Sequence, residues 1–354
     1  MELTNPILIR LRHLAESNPD NPKFLEDYAT ALLQDGKIIL ARKILYKLYG
    51  RLQMSGRTDE AHELKSAHGE WVTGEEGNIR PAWGGHFLPL EREVKHSLLG
   101  RKRKRKIHEG EVLFRAGDVS DKAYLVVDGE LAISLRSDLT GPILVNLAYR
   151  GDLVGESILT DSSVRTADVF ANKDSILIEF DKKQLEGAFS AHPDLRELLD
   201  EEASLRRKVI YLSKCGPFSL LPLSERIIVA EQVSEKEIAA GTVIKREHEH
   251  LPHAALVVSG EVESYFTMYK ERQYAGSLYA NSLFGLSKLY LNEVIPYELV
   301  AKTKVRTLAI PHSIFEDASL TYSKFEACAT DITRASFAQT MDTIRILSSD
   351  AMTI

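Results

Sequence analysis

Residues 124–135 read YLVVDGELAISL, and residues 255–266 read ALVVSGEVESYF. In each, apolar residues run into a small polar residue and a glycine, Asp128-Gly129 or Ser259-Gly260, and resume beyond it. That pattern predicts a strand, a tight hairpin turn and a second strand. The likeness extends outward from both stretches. GEVLFRAGDVSDKAYLVVDGE (110–130) lies on GTVIKREHEHLPHAALVVSGE (241–261) without a gap. GDLVGESILTDSSVRTADVFA (151–171) lies on the stretch that contains FGLSKLYLNEVIPYELVA (284–301), gapless from Gly155/Gly285 to Ala171/Ala301. Each copy then runs into a helical stretch. The chain therefore repeats one small β domain with helical flanks, and short strands punctuated by glycine imply a closed or double-sheet β architecture.

Before the repeat the texture is helical. In PKFLEDYATALLQDGKIILARKILYKLYGRL (22–52), Leu25, Tyr28, Ala29 and Leu32, then Ala41, Ile44, Leu45 and Leu48, recur with the helical period on either side of Asp35-Gly36. A further helix is predicted from about Thr58 to Ala67. The small Ala29 and Ala41 let two helices approach closely. The spacing resembles a tetratricopeptide repeat, and a generic helical hairpin accounts for it as well. The glycine-rich GEWVTGEEGNIRPAWGGH (69–86) reads as a linker. The expected organisation is a helical segment 1–68, a linker 69–86, a first β domain 87–212 and a second 213–354. The fold class is α+β, two tandem jelly rolls behind a small all-α domain.

Composition narrows the function. The chain has 354 residues, 44% apolar and 27% charged, with a net charge of −6, so as a whole it is no polyelectrolyte partner for nucleic acid. No apolar run is long enough for a membrane span. The start, Met-Glu-Leu-Thr-Asn-Pro, lacks the pattern of a signal peptide. Two cysteines, Cys215 and Cys328, form neither a metal-spaced cluster nor a disulfide framework. These features point to the cytoplasm.

Chemistry concentrates in Gly151–Ala171. A strand ends at Val154, and Gly155 allows close backbone approach. Ser157 begins a helical turn whose free N–H groups suit an anion. Arg165, nine residues after Glu156, can return over that turn with a guanidinium fork. Glu156 repels a bare phosphate, yet it suits a ligand whose hydroxyl lies beside its phosphate. The alternative is an ordinary surface ion pair between Glu156 and Arg165.

With Gly155-Glu156 and Arg165-Thr166-Ala167 in these places, the chain resembles the cyclic-nucleotide-binding domain family, which includes the catabolite activator protein and the regulatory subunit of protein kinase A. Gly110, Gly117-Asp118, Gly129-Glu130 and the tail FDKKQLEGAFSAHPDL (180–195) fit the same pattern. The resemblance implies a β jelly roll with a helical lid. It implies that Glu156 holds a ribose 2′-OH, that Arg165 holds the phosphate, and that Gly155, Ser157, Thr166 and Ala167 complete the phosphate site. Followed onto the helix after Pro193, it places Arg206 at a family arginine, and Ile210 and Tyr211 where adjacent hydroxyl residues reach the base. An apolar residue beside an aromatic one covers a base by stacking and burial, with Tyr211 expected on the ring.

The second copy departs at the contacting positions. Leu286 stands opposite Glu156, Ile295 opposite Arg165, and Pro296, which has no N–H, opposite Thr166. An apolar pair cannot compensate a phosphate. The expectation is one functional site and one degenerate copy that fills its own pocket or makes contacts.

Remaining features read as surface. RKRKRK (101–106) leads into the first strand with Ile107 inward, where cations guard a sheet edge. His248, His250 and His253 have no completing ligand for a metal. No nucleophile elbow, phosphate-cradling loop or zinc motif is visible, so no enzyme and no cofactor are expected. Three functions compete: a ligand-gated adaptor for cAMP, with cGMP or a cyclic dinucleotide as alternatives; a transcription regulator, disfavoured because too few residues follow Phe315 for a DNA-binding domain; and a ligand-free scaffold. A protein partner for the helical N-terminus or the second copy is expected, and a homo-oligomer is compatible.

Overall fold

A computed structural model describes residues 5–18, 21–72, 87–90, 104–136, 142–159, 164–293 and 296–351. Four helices lead: α1 (Pro6–Ser17), α2 (Pro22–Gln34), α3 (Ile38–Met54) and α4 (Thr58–Val72). The first copy holds β1 (Lys104–Ile107), β2 (Val112–Phe114), β3 (Lys122–Leu135), β4 (Ile143–Tyr149), β5 (Leu153–Val154) and β6 (Asp168–Asp181), then α5 (Lys182–Ala191) and α6 (Pro193–Lys214). Short α7 (Gly216–Ser219) and α8 (Leu223–Gln232) precede the second copy. That copy holds β7 (Ser234–Ile238), β8 (Val243–Lys245), β9 (His253–Ser259), β10 (Val262–Met268), β11 (Glu271–Leu278), β12 (Leu283–Phe284), α9 (Ser287–Leu291), β13 (Glu298–Ala301) and β14 (Val305–Pro311). Helices α10 (His312–Thr321) and α11 (Ser323–Ala351) follow. The chain divides into two compact units, Asn78–Ser213 and Met1–Gly77 with Lys214–Ile354.

In the first copy, β1-β6-β3-β4 form a sheet in which β2 also pairs with β6 and β5 with β3. Asp128-Gly129 is not a hairpin turn, contrary to the sequence reading. Strand β3 runs on through it and pairs along its length with β6, with register shifts on both sides of Asp128. Gly129 has φ +91°. A Cβ there would sit 2.2 Å from the Ser175 hydroxyl and 2.4 Å from the Asp174 carbonyl, so only glycine allows the partner strand so near. The pair acts as a bulge that bends one long strand between layers. The same holds at Ser259-Gly260: β9 pairs with β14 and β10 with β13, in the same direction. There the bend is sharp enough to split the strands into two four-stranded sheets, β11-β10-β13-β8 and β12-β9-β14-β7. Leu125, Ile178, Phe180, Leu185 and Leu199 form the core of the first copy. Lys104–Ile107 is the first strand with Ile107 buried, and 101–103 lie outside the described residues.

The leading helices are built as expected, with Asn5 and Asn21 capping α1 and α2 ahead of a proline. Ala29 and Ala41 are fully buried between their helices. Helix α4 runs past Ala67 to Val72, kinking at His68, so residues 69–72 of the expected linker are helical. Residues 73–86 lie outside the described ones.

These helices share a unit with the second copy rather than standing alone. Helix α3 has no side-chain cap from its own N-terminus. Asp317 of α10 caps it instead, accepting from Ile39 N (2.7 Å) and Leu40 N (3.0 Å). Arg42 meets Glu225 of α8 at 2.9 Å, both side chains buried. Lys37 pairs with Glu316 at 2.9 Å. No described helix is long and apolar enough to cross a membrane.

Candidate functional site

The site lies in the first copy, in a cleft between β2, β3, β4, β6, the turn after β5 and helix α6. Strand β5 delivers the chain to Gly155, and a 3-10 turn over Glu156–Leu159 follows. Gly155 has φ +86°. A Cβ there would come within 2.6 Å of the Arg165 guanidinium. Both facts require glycine, because the guanidinium packs directly on this turn.

Arg165 is 2% exposed. Its backbone is fastened to the loop at Gly117-Asp118: Arg165 N donates to Asp118 O at 2.8 Å, and Gly117 N donates to Arg165 O at 2.9 Å. Its Nη1 donates to Gly155 O (2.9 Å) and to the Ser157 hydroxyl (3.4 Å). Nη2 donates to Lys122 O. The guanidinium lies 4.2 Å over the Phe114 ring, a cation–π contact. Its Nε is buried without a hydrogen-bond partner among the described residues. Among the described residues, the groups in direct contact with this buried cation are thus carbonyls, a hydroxyl and a ring, none of them a carboxylate. Burial pulls its pKa below the ordinary arginine value, and Tyr124 and Glu156 offset this in part.

Glu156 is not the ion partner of Arg165. It pairs with Arg206 of α6 at 3.2 Å. Arg206 also binds Glu202 at 2.7 Å and donates to Leu153 O at 3.1 Å. Burial pulls Arg206 down, but Glu156, Glu202 and Asp152 outweigh it, and its pKa is raised. The two arginines therefore differ. Arg206 is neutralised by this chain's own carboxylates and pins α6 to β5; Arg165 carries its charge into the cleft.

The cleft brings together Gly155, Glu156, Ser157, Arg165, Thr166, Ala167 and Arg206. Thr166 is exposed at the rim and Ala167 is buried. Tyr211 is half-buried and does not line the cleft, contrary to the expectation for the base; Ile210 does. Adjacent helix residues are turned about 100° apart, so only one of the pair can face the site. Sequence reading missed the apolar walls, Phe114, Ile133, Val145 and Val169, and the buried Asn146. Nothing in their pattern separates them from ordinary inward strand residues.

In the second copy, Gly285 keeps the conformation, φ +88°. Its carbonyl accepts from His312 Nε2 at 2.8 Å, where the first copy uses Arg165. Lys245, the counterpart of Phe114, is buried and bonds Tyr297 O at 2.7 Å. Its ammonium lies 4.9 Å over the Tyr297 ring. Burial pushes Lys245 down to about 8. Tyr297, the counterpart of Ala167, is itself 6% exposed in the core, with Phe337 of α11 packed against that core. Leu286 is buried, and Ile295 lies outside the described residues.

Sequence comparison agrees with the repeat. The cyclic nucleotide-binding domain profile matches residues 104–192 and 235–322, together half of the chain. The chain belongs to the cyclic nucleotide-binding domain family. It is similar to a cAMP-dependent protein kinase regulatory subunit from Blastocladiella emersonii, 24% identical over 189 residues, covering 52% of this chain and 44% of that protein. It is also similar to the lysophospholipase nte1 of Aspergillus fumigatus, 32% identical over 89 residues, or 25% of this chain and 6% of that enzyme. The chain thus spans less than half the length of either relative. Among solved structures, the regulatory domain of Toxoplasma gondii PKA crystallised with cAMP aligns over 69% of this chain and 95% of its own, at 19% identity and a TM-score of 0.35.

Proposed function

We propose that this chain is a cytoplasmic cyclic-nucleotide receptor, with cAMP as its ligand, that acts as a regulatory adaptor and not as an enzyme. It binds one nucleotide per chain, in the first copy. The observation that carries the reading is the buried Arg165 guanidinium, which lines the cleft with no carboxylate in direct contact among the described residues. A buried cation whose nearby carboxylates offset its burial only in part gains from an anion that meets it directly. A cyclic phosphate supplies that charge, and the ribose 2′-OH gives Glu156 a donor. The matched regulatory subunit supports a regulatory role, exerted on a partner protein through the helical N-terminus or second copy. Second-copy binding is disfavoured by the buried Tyr297 and Lys245, which occupy the counterparts of Ala167 and Phe114.

Calorimetry of the full chain with cAMP, cGMP and cyclic dinucleotides tests this. One site per chain is expected. Arg165→Ala should abolish it, a loss of about 2–5 kcal/mol for truncating a buried charged contact, while thermal unfolding stays cooperative. Two sites, or unchanged affinity in Arg165→Ala, would overturn the assignment. Absence of binding to every cyclic nucleotide would leave the scaffold.

A further inference from the structure

The chain has two cysteines, far apart in sequence, and the fold draws them together outside the cleft. Cys215 directly follows α6 and is the N-cap residue of α7. Cys328 lies on α11. Phe325, Cys328 and Ile332 succeed one another there at steps of three and four residues, so they form one stripe of that helix. The stripe meets α7. Phe325 packs edge-on against Phe218, ring centroids 5.3 Å apart, and Phe218 meets Phe315 at 5.2 Å. All three rings are fully buried, so packing fixes this contact. A Cβ at Gly216 would lie 3.2 Å from Ile332 Cδ1 and 3.5 Å from Cys328 Sγ. The bare glycine lets α11 close on the start of α7, with the Cys328 sulfur beside the residue that follows Cys215. Cys215 is 1% exposed, and Cys328 is half-buried.

We propose that Cys215 and Cys328 form an intrachain disulfide when the protein meets a peroxide. Cys328, the more accessible thiol, reacts first. Its thiolate sulfur attacks one peroxide oxygen, the O–O bond breaks, water leaves and Cys328 becomes a sulfenic acid. The Cys215 sulfur then attacks that sulfur, the S–O bond breaks, a second water departs and the S–S bond forms. The two thiols together give up two electrons and two protons, which reduce the peroxide to water. The bridge closes a loop around α7 to α10, which includes every strand of the second copy. Burial raises both thiols above the ordinary value, Cys215 to about 12, and Asp331 adds to the effect at Cys328. Only the thiolate reacts, so the pair stays reduced until oxidant is sustained, and oxidation quickens as pH rises.

The full chain is incubated with hydrogen peroxide, alkylated after denaturation, and mapped as peptides without reductant. One cross-linked peptide pair is expected, Cys215 with Cys328 within a single chain, with both thiols lost to alkylation and both restored by dithiothreitol. Raising the pH by one unit near neutrality should speed the reaction about tenfold, as the thiolate fraction does. Cys215→Ser should stop at a Cys328 sulfenic acid that dimedone traps, and Cys328→Ser should leave Cys215 alkylatable. Cys215→Ala gives the same readout should the serine variant fail to fold. Two alkylatable thiols after prolonged peroxide, cross-links only between chains, or Cys215 oxidised as fast in Cys328→Ser as in wild type would each overturn the proposal.

Discussion

Gly155 and Arg165 are one device made of two residues. The glycine is held at φ +86°, and the place of its missing Cβ is taken by the guanidinium. Gly155→Ala is therefore expected to strain the turn by about 1–2 kcal/mol and to displace the arginine. Titration should show at least about a tenfold loss of nucleotide affinity, since one decade is only 1.4 kcal/mol. Gly285→Ala is the matched control: its φ is +88° and it strains its own turn, yet it should leave affinity unchanged. Equal losses in both variants would mean that strain, not the guanidinium, sets the effect.

At the scale of the element, α6 is the segment that connects the site to the rest of the chain. It contributes Arg206 and Ile210 to the cleft and ends at Lys214, where the second unit begins. A ligand shifts this helix only through contacts that differ between its arrangements. Ile210 is the residue placed to make such a contact. Saturating nucleotide should slow amide exchange across 194–214. Ile210→Ala should weaken binding by about 1–2 kcal/mol through lost apolar burial, whereas Tyr211→Ala should leave it within about twofold. The opposite ranking of the two variants would restore the tyrosine to the base. Identical exchange with and without ligand would exclude α6 as the relay.

At the scale of the whole molecule, the helical layer and the second copy share buried charge. Burial pushes Glu225 up to about 7 against the pull of Arg42, and Asp317 up to about 6 against the N–H groups of Ile39 and Leu40. A carboxyl raised by folding holds its proton more tightly in the native state. Its contribution is full below the unfolded value, about 4 for both groups, and fades as pH rises through the folded value. Melting temperature should therefore fall between about pH 5 and pH 8, and Glu225→Gln, which keeps the bond to Arg42, should flatten that slope. A slope unchanged in Glu225→Gln would assign the pH dependence elsewhere. Arg42→Ala, which strands Glu225, should destabilise the unit by about 3–5 kcal/mol.

Much of this protein was legible locally. The tandem copies, the helical pairs and Gly155, Glu156 and Arg165 all follow from short-range pattern: period, turn chemistry and the spacing of charged residues around a glycine. Asp128-Gly129 marks the limit. The dipeptide announces a positive φ in either a hairpin or a bulge, and only the pairing of β3 with β6 on both sides decides for the bulge. The same limit governs Tyr211 and Ile210, whose facing depends on how α6 is rotated against β5. It governs the cap of α3, supplied by Asp317 from 278 residues away. In each case the deciding contact joins residues distant in the chain, and local sequence carries no record of which distant strand or carboxylate will arrive.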